Sequence, residues 1–258
     1  MMKSFFLLGA SILILSACSN YNEIIKGDDY VKKFELANAL YDGEEFLKSV
    51  VLYEQVYQHS PKSGEGELAY YRLGQSYYQS DDYYMAGYYF SSYIQRFPYS
   101  PKNEELMFLV AMCKVKNSPQ SALDQTETEE AINAVQIFVD SYPQTVLMDT
   151  CNQIIDRLRF KIETKEFNQV LLYSKTERYR AAVASAEIFL EKYPSSTFAE
   201  IVLSKMVRNS YYLTINSIES KKSVRIDETI ERMRKFEADF PGSDDLQSLN
   251  QLVNKLLN

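Results

Sequence analysis

A single histidine, His59, leaves this sequence without the second imidazole that a histidine metal pair or a proton relay would need. It stands in the helix-ending run Tyr57-Gln58-His59-Ser60-Pro61 and reads as a surface or capping residue. Eight glycines and seven prolines in 258 residues are too few for an all-β protein full of tight turns. Three cysteines do not make a disulfide framework, and Cys113 and Cys151, both on expected helices, read as buried thiols acting as small hydrophobes rather than as a bridged pair. Twenty-eight Lys and Arg against 35 Asp and Glu give a net charge of −7, so there is no basic footprint for nucleic acid. A Gly-rich phosphate loop, a Gly-x-Ser-x-Gly elbow and a metal-spaced His/Cys set are all missing. Carboxylates such as Glu65, Glu67, Glu127, Glu129 and Glu130 read as solvated charges at helix starts. The expectation is a non-enzymatic chain with no catalytic residues, no metal and no cofactor.

Aromatic residues are abundant, but skewed: 21 Tyr and 14 Phe with no Trp. Tyrosine suits half-buried helix surfaces, where the ring packs while the hydroxyl reaches water.

Residues 1–17 read as a targeting leader rather than as fold. Lys3 supplies the positive region, residues 5–15 the apolar run, and Leu15-Ser16-Ala17-Cys18 ends it with small residues before a cysteine. The run is shorter than the roughly 20 residues a permanent membrane helix needs. This resembles a bacterial lipobox, which implies cleavage before Cys18 and a covalent lipid on it. Several acyl chains on one residue anchor a soluble body firmly. Ser19 follows Cys18 where Asp would favour retention at the inner membrane, so the sorting rule of many Gram-negative bacteria implies the outer membrane. Residues 18–28 are the lipidated cysteine and its polar tether.

The clearest fold signal lies in residues 69–100. Tyr70, Leu73, Gly74 and Tyr77 share one helical face, Asp81-Asp82 breaks the pattern, and Ala86, Phe90, Tyr93 and Phe97 share a second face that Pro98 ends. Gly74 and Ala86 are small where the two helices would cross. The ending recurs as Phe97-Pro98-Tyr99-Ser100, Tyr142-Pro143-Gln144-Thr145, Tyr193-Pro194-Ser195-Ser196 and Phe240-Pro241-Gly242-Ser243, with Ser60-Pro61-Lys62-Ser63 as a first version. These prolines lie 37, 45, 51 and 47 residues apart. The pattern resembles the tetratricopeptide repeat (TPR), with later repeats longer than its 34-residue period. The expected fold is therefore all-α, a TPR-like solenoid spanning 29–258. Its repeats would be 29–63, 64–101, 102–146, 147–196 and 197–243, with a capping helix at 244–257. In the third repeat, residues 117–125 read as a loop, and Thr126-Glu127-Thr128-Glu129 as a capping box opening the next helix. In the fifth, the basic stretch Lys221-Lys222-Ser223-Val224-Arg225 interrupts the apolar pattern.

In a TPR array the first helix of each repeat lines the concave side. The face not committed to packing then reads as Tyr71, Gln75 and Tyr78, matched in the first repeat by Phe34, Asn38 and Tyr41. Aromatic rings flanked by amides either hold an extended or helical peptide or simply solvate the groove.

The lipobox, five TPR-like repeats, and Asp124-Gln125-Thr126 followed by Ala131, Phe138 and Tyr142-Pro143 together resemble the BamD family of outer-membrane β-barrel assembly lipoproteins. The resemblance weakens where Phe108-Leu109-Val110-Ala111 replaces the usual Tyr-Leu-x-Gly. It implies a lipid-anchored protein facing the periplasm, whose N-terminal repeats receive unfolded outer-membrane proteins. Its C-terminal repeats would dock on a POTRA domain of a BamA-like barrel insertase, with other assembly-machine lipoproteins as further partners. The alternative is another TPR envelope lipoprotein, an adaptor for cell-wall or division enzymes. A lipid-anchored envelope lyase would need a cleft with a perturbed carboxylate, which the sequence does not show.

Overall fold

The computed structural model describes residues 21–257, so the leader and Cys18 lie outside the described residues. Every regular element among those residues is helical. Residues 21–26, expected as tether, form a short helix. It is followed by α1 (Tyr30–Asp42), α2 (Phe46–His59), α3 (Gly64–Gln79), α4 (Tyr83–Arg96), α5 (Asn103–Asn117) and α6 (Thr126–Ser141). Then come α7 (Met148–Lys175), α8 (Tyr179–Lys192), α9 (Ala199–Ile215), α10 (Glu219–Asp239) and α11 (Leu246–Asn254).

The chain forms two compact units. One runs up to Pro119 and includes Gln125–Ile155; the other takes Gln120–Asp124 and everything from Asp156 onward. In the first, successive helices from α1 to α6 pack on one another around a core containing Ala37, Tyr53, Leu73, Phe90, Tyr93 and Leu106. In the second, α8, α9 and α10 pack in succession and α11 covers α9 and α10, around Val170, Phe189, Leu203, Phe236, Leu249 and Val253. Each unit is an all-α stack of TPR-like helix-turn-helix elements.

The recurring sequence ending has one physical explanation in both units. The N–H of Ser63, Ser100, Thr145, Ser196 and Ser243 donates to the carbonyl three residues back, at 3.0–3.1 Å, closing a β-turn each time. Proline occupies the second turn position, where its fixed φ is already correct. The Ser or Thr oxygen then accepts a backbone N–H at the start of the next helix: Gly66 at 3.0 Å, Lys102 at 3.4 Å, Leu147 at 3.3 Å, Phe198 at 2.9 Å and Asp245 at 3.2 Å. Aromatic pairs four residues apart close the preceding helix, with centroids 4.8 Å apart in Tyr93–Phe97, 5.6 Å in Phe138–Tyr142, 5.1 Å in Phe189–Tyr193 and 5.7 Å in Phe236–Phe240.

The turns inside the hairpins share a second device. Glu44, Asp81 and Glu177 have φ of 61°, 60° and 57°. Beside them Glu45 N donates to Leu40 O at 2.8 Å, Asp82 N to Tyr77 O at 3.0 Å and Arg178 N to Tyr173 O at 3.0 Å. This is the helix-ending pattern that usually takes glycine in the left-handed position.

Two local expectations need correction. Gln125, not Thr126, holds the cap position of α6 and makes no side-chain cap bond; its Oε1 instead accepts from Thr128 Oγ1 at 2.8 Å. The basic stretch at 221–225 does not interrupt a helix but lies inside α10, where Arg225 Nη1 donates to Ser217 Oγ.

Candidate functional site

The site is built on the first helices of successive hairpins, α1, α3 and α5. Asp29 starts α1 by accepting from Lys32 N at 3.1 Å, and Ser63 starts α3 by accepting from Gly66 N at 3.0 Å. From those starts, offsets of four and seven place Phe34, Asn38 and Tyr41 on one face of α1, and Tyr71, Gln75 and Tyr78 on one face of α3.

The α1 row converges on Tyr53 of α2. Tyr53 donates its hydroxyl to Asn38 Oδ1 at 2.8 Å, and the rings of Phe34 and Tyr41 both meet it edge-on with centroids 6.4 Å away. Tyr41 also leans on Phe46 at 5.4 Å. From α3, Arg72 lays its guanidinium 4.3 Å from the Tyr41 ring centroid and reaches Asp42 Oδ1 at 3.4 Å, joining the first row to the second.

The α3 row centres on a carboxylate from α5. Tyr71 donates its hydroxyl to Glu105 Oε1 at 2.8 Å, while Gln75 Nε2 donates to the Tyr71 hydroxyl at 3.1 Å and to Glu105 Oε1 at 3.3 Å. Lys102 Nζ stands 4.8 Å from the Tyr71 centroid. Tyr78 departs from this cluster and packs on Tyr83 and Phe90, at 5.4 and 6.2 Å.

The tyrosine hydroxyls are held protonated. Burial pushes the Tyr71 pKa up, and its bond to the Glu105 carboxylate pushes it further. Burial raises Tyr53 and Tyr41 too, with Arg72 pulling the other way in both. The arrangement can donate, accept and stack.

The expectation that Tyr71, Gln75 and Tyr78 form a face left free of packing is wrong. Gln75 is only 8% exposed, and Phe34, Tyr41, Tyr71 and Tyr78 are half-buried against the core. The reason is geometric: this face is taken up both within each hairpin, α1 against α2 and Tyr78 against α4, and between hairpins, where Tyr71 and Gln75 bond Glu105 of α5. The exposed chemistry belongs to Glu105, beside half-buried Arg72 and Lys102, three residues that periodicity alone does not single out. Glu105 stands in the first turn of α5, where a carboxylate suits any helix start; the signal that sets it apart is its position one turn before Phe108, which aligns with Tyr71 when Ala111 is set against Gly74. Cys113 and Cys151 are buried, free thiols, and burial pushes Cys113 up to about 12. His59 stacks on Tyr30 with centroids 3.7 Å apart. Among the described residues no group of three or more His, Cys, Asp or Glu is placed to hold a metal ion, and no helix is long and apolar enough to cross a membrane.

A second concavity of about 510 Å³ lies between α4, α5 and α6. Tyr83, Tyr88 and Cys113 line it, and its rim is closed by Tyr84 donating to Glu127 at 2.6 Å and Lys114 donating to Glu130 at 2.8 Å. None of the six sequence-selected groove residues borders it.

With this geometry in hand, comparison with known proteins identifies the lineage. The YfiO family model, described as an outer membrane lipoprotein, matches residues 32–226, well over half of the chain. The chain belongs to this family. A curated relative, the outer membrane protein assembly factor BamD of Caulobacter vibrioides, is 23% identical over 175 residues, covering 68% of this chain and 57% of that protein. The match thus spans little more than half the length of that relative. Among solved structures, a thermophilic TPR protein of Thermus thermophilus aligns with TM-score 0.32 and 16% identity over 89% of this chain and 100% of its own. A TPR-like kinesin light chain protein of Podosopora anserina aligns with TM-score 0.33 and 13% identity over 82% and 96%. The family match runs from the first turn of α1 into α10, so both rows of the site, with Arg72, Lys102 and Glu105, lie within it.

Proposed function

We propose that this chain is a non-enzymatic, lipid-anchored scaffold facing the periplasm from the outer membrane, where it serves the assembly and insertion of β-barrel proteins. The observation that carries the reading is the similarity to a BamD assembly factor over 68% of the chain, within a family of outer membrane lipoproteins. Anchoring is through acyl chains on Cys18, which lies outside the described residues.

In this reading the α1, α3 and α5 face receives an extended segment of an unfolded barrel protein. Such segments alternate apolar and polar side chains. Half-buried rings of Tyr41 and Tyr71 offer flat apolar contact, while Arg72, Lys102 and Glu105 offer charge and hydrogen bonds to a peptide backbone. The partner that takes over the substrate is a BamA-like insertase, contacted through a POTRA domain, alongside other assembly lipoproteins.

Affinity purification of the full-length chain from membranes tests the proposal. Recovery of a BamA-like barrel protein is the expected result, and recovery of cell-wall or division enzymes in its place would transfer the chain to an adaptor role. Replacing Cys18 with Ala is expected to release the protein from the membrane fraction; retention through acyl modification would overturn the anchor.

A further inference from the structure

At the N-terminal edge of the first unit, the turn at 25–28, the start of α1 and the end of α2 line an open pocket of about 540 Å³. That is within the range of roughly 300–1,000 Å³ typical of small-ligand sites. Lys33 lines it and is only 3% exposed. Its Nζ donates to Ile25 O at 3.0 Å and stands 4.8 Å from the Tyr30 ring centroid. These contacts account for where the side chain sits, because an ammonium at the C-terminal end of the 21–26 helix meets the negative end of its dipole.

They do not neutralise it. The ion pairs at this edge are Lys32–Asp29 at 3.0 Å and Lys48–Glu45, and no carboxylate pairs with Lys33 among the described residues. An ammonium has three donors, and a buried cation without a counter-charge is costly. Gln55 borders the same pocket, and its buried Oε1 accepts no hydrogen bond. One pocket is therefore lined by a buried lysine with spare donors and by a glutamine whose buried oxygen has no donor. At its mouth Lys26 and Asp28, both exposed, repeat the two signs, and the stacked Tyr30 and His59 rings form a flat wall.

A simple anion would satisfy Lys33 and leave Gln55 unpaired; a simple cation would be repelled by Lys33. We propose that the pocket binds a zwitterionic phosphate–ammonium group, the chemistry of phosphoethanolamine. The phosphate takes Lys33 and Lys26, and the ammonium takes Gln55 Oε1 and Asp28. Two sources carry this group, a phosphatidylethanolamine headgroup and its soluble glycerol phosphodiester. Ile25 is seven positions after Cys18, an extended reach of at most about 25 Å. The lipid source, and that alone, rests on the anchor reading above.

Isothermal titration of the full chain with glycerophosphoethanolamine tests the site directly, with glycerophosphate as the probe lacking the ammonium. Saturable binding is expected, weakened about tenfold by Lys33→Met and by Gln55→Leu, with glycerophosphate several-fold weaker than the zwitterion. Because Lys33→Met also uncaps the 21–26 helix, Gln55→Leu, which leaves that cap intact, is the variant that must lose affinity at unchanged melting temperature. Absence of binding, equal affinity for glycerophosphate, or full affinity in Gln55→Leu would overturn the proposal. Sedimentation of the Cys18→Ala protein with phosphatidylcholine vesicles, with and without phosphatidylethanolamine, separates the sources: enhanced capture by the second lipid supports the bilayer headgroup, and equal capture together with titration binding supports the soluble one. The soluble titration needs no acyl chain, so failure of the anchor and failure of the pocket give different results.

Discussion

The Tyr71 hydroxyl donates to Glu105 Oε1 at 2.8 Å, tying the middle of α3 to the first turn of α5 across 34 positions. With Gln75 bonded to both, the triad makes the junction between two hairpins polar, although the rings around it are aromatic. Replacing Tyr71 with Phe keeps the ring and removes the bond, and is expected to destabilise the fold by about 0.5–1.5 kcal/mol. A double-mutant cycle with Glu105→Gln, measured by denaturant unfolding, should return a non-zero coupling; strict additivity would mean that the contact contributes nothing.

Gly74 lies where α3 meets α4 so closely that a Cβ there would come within 2.7 Å of two Phe90 ring atoms. Alanine gains about 1 kcal/mol of helix propensity over glycine, yet Phe90 is only 1% exposed and its ring has no room to retreat. Gly74→Ala should therefore lower stability, by about 1–3 kcal/mol. A raised melting temperature would show that the crossing is looser than the structure has it.

Glu44 sits in the left-handed region at φ 61° with no glycine to relieve it. The left-handed conformation costs an L residue about 1–2 kcal/mol. Glu44→Gly is expected to stabilise the first hairpin by several tenths of a kcal/mol to about 1 kcal/mol, net of the extra chain entropy glycine loses. Thermal unfolding of the two proteins side by side measures it.

These positions show what could be read from sequence. The helices and their ends were legible because the signals are local: a proline suited to one turn position, a Ser or Thr that caps the next helix, and an aromatic four residues before the helix end. The side-chain bonds between helices were not. That Tyr53 of α2 would bond Asn38, or that Glu105 would reach Tyr71, depends on how helices cross, and periodicity within one helix carries no information about its neighbour. Tyr71, Gln75 and Tyr78 share one side of α3, as the periodicity predicts, but that side is occupied, Tyr71 and Gln75 by Glu105 of the next hairpin and Tyr78 by Tyr83 and Phe90 of its own. At α6, the Ser/Thr-x-x-Glu spacing suggested a cap, while Thr128 instead pairs with Gln125 and Ser118.

Alkaline pH should find half-buried Tyr89, buried Tyr93 and buried Cys113. Burial pushes Tyr89 and Tyr93 from 10.0 up to about 12, and Cys113 from 9.0 up to about 12. A folded-state pKa above the unfolded one means that the fold favours the neutral group. This contribution is complete below the unfolded values and is lost as pH rises through the folded ones. The melting temperature is expected to fall steadily from about pH 9 toward about pH 12. Tyr89→Phe should make that decline shallower; an unchanged slope would assign the loss to other groups.

The most direct test of the account places a photoreactive amino acid at position 105, on the exposed side of the α1, α3 and α5 face, in cells making the full-length lipoprotein. Crosslinks to newly made outer-membrane β-barrel proteins are the expected result, lost when Arg72→Ala is added and absent when the photoreactive residue is moved to exposed Ile188 on α8. Equal crosslinking from both positions, or none from position 105 while the protein remains membrane-anchored, would contradict the claim that this face receives the substrate.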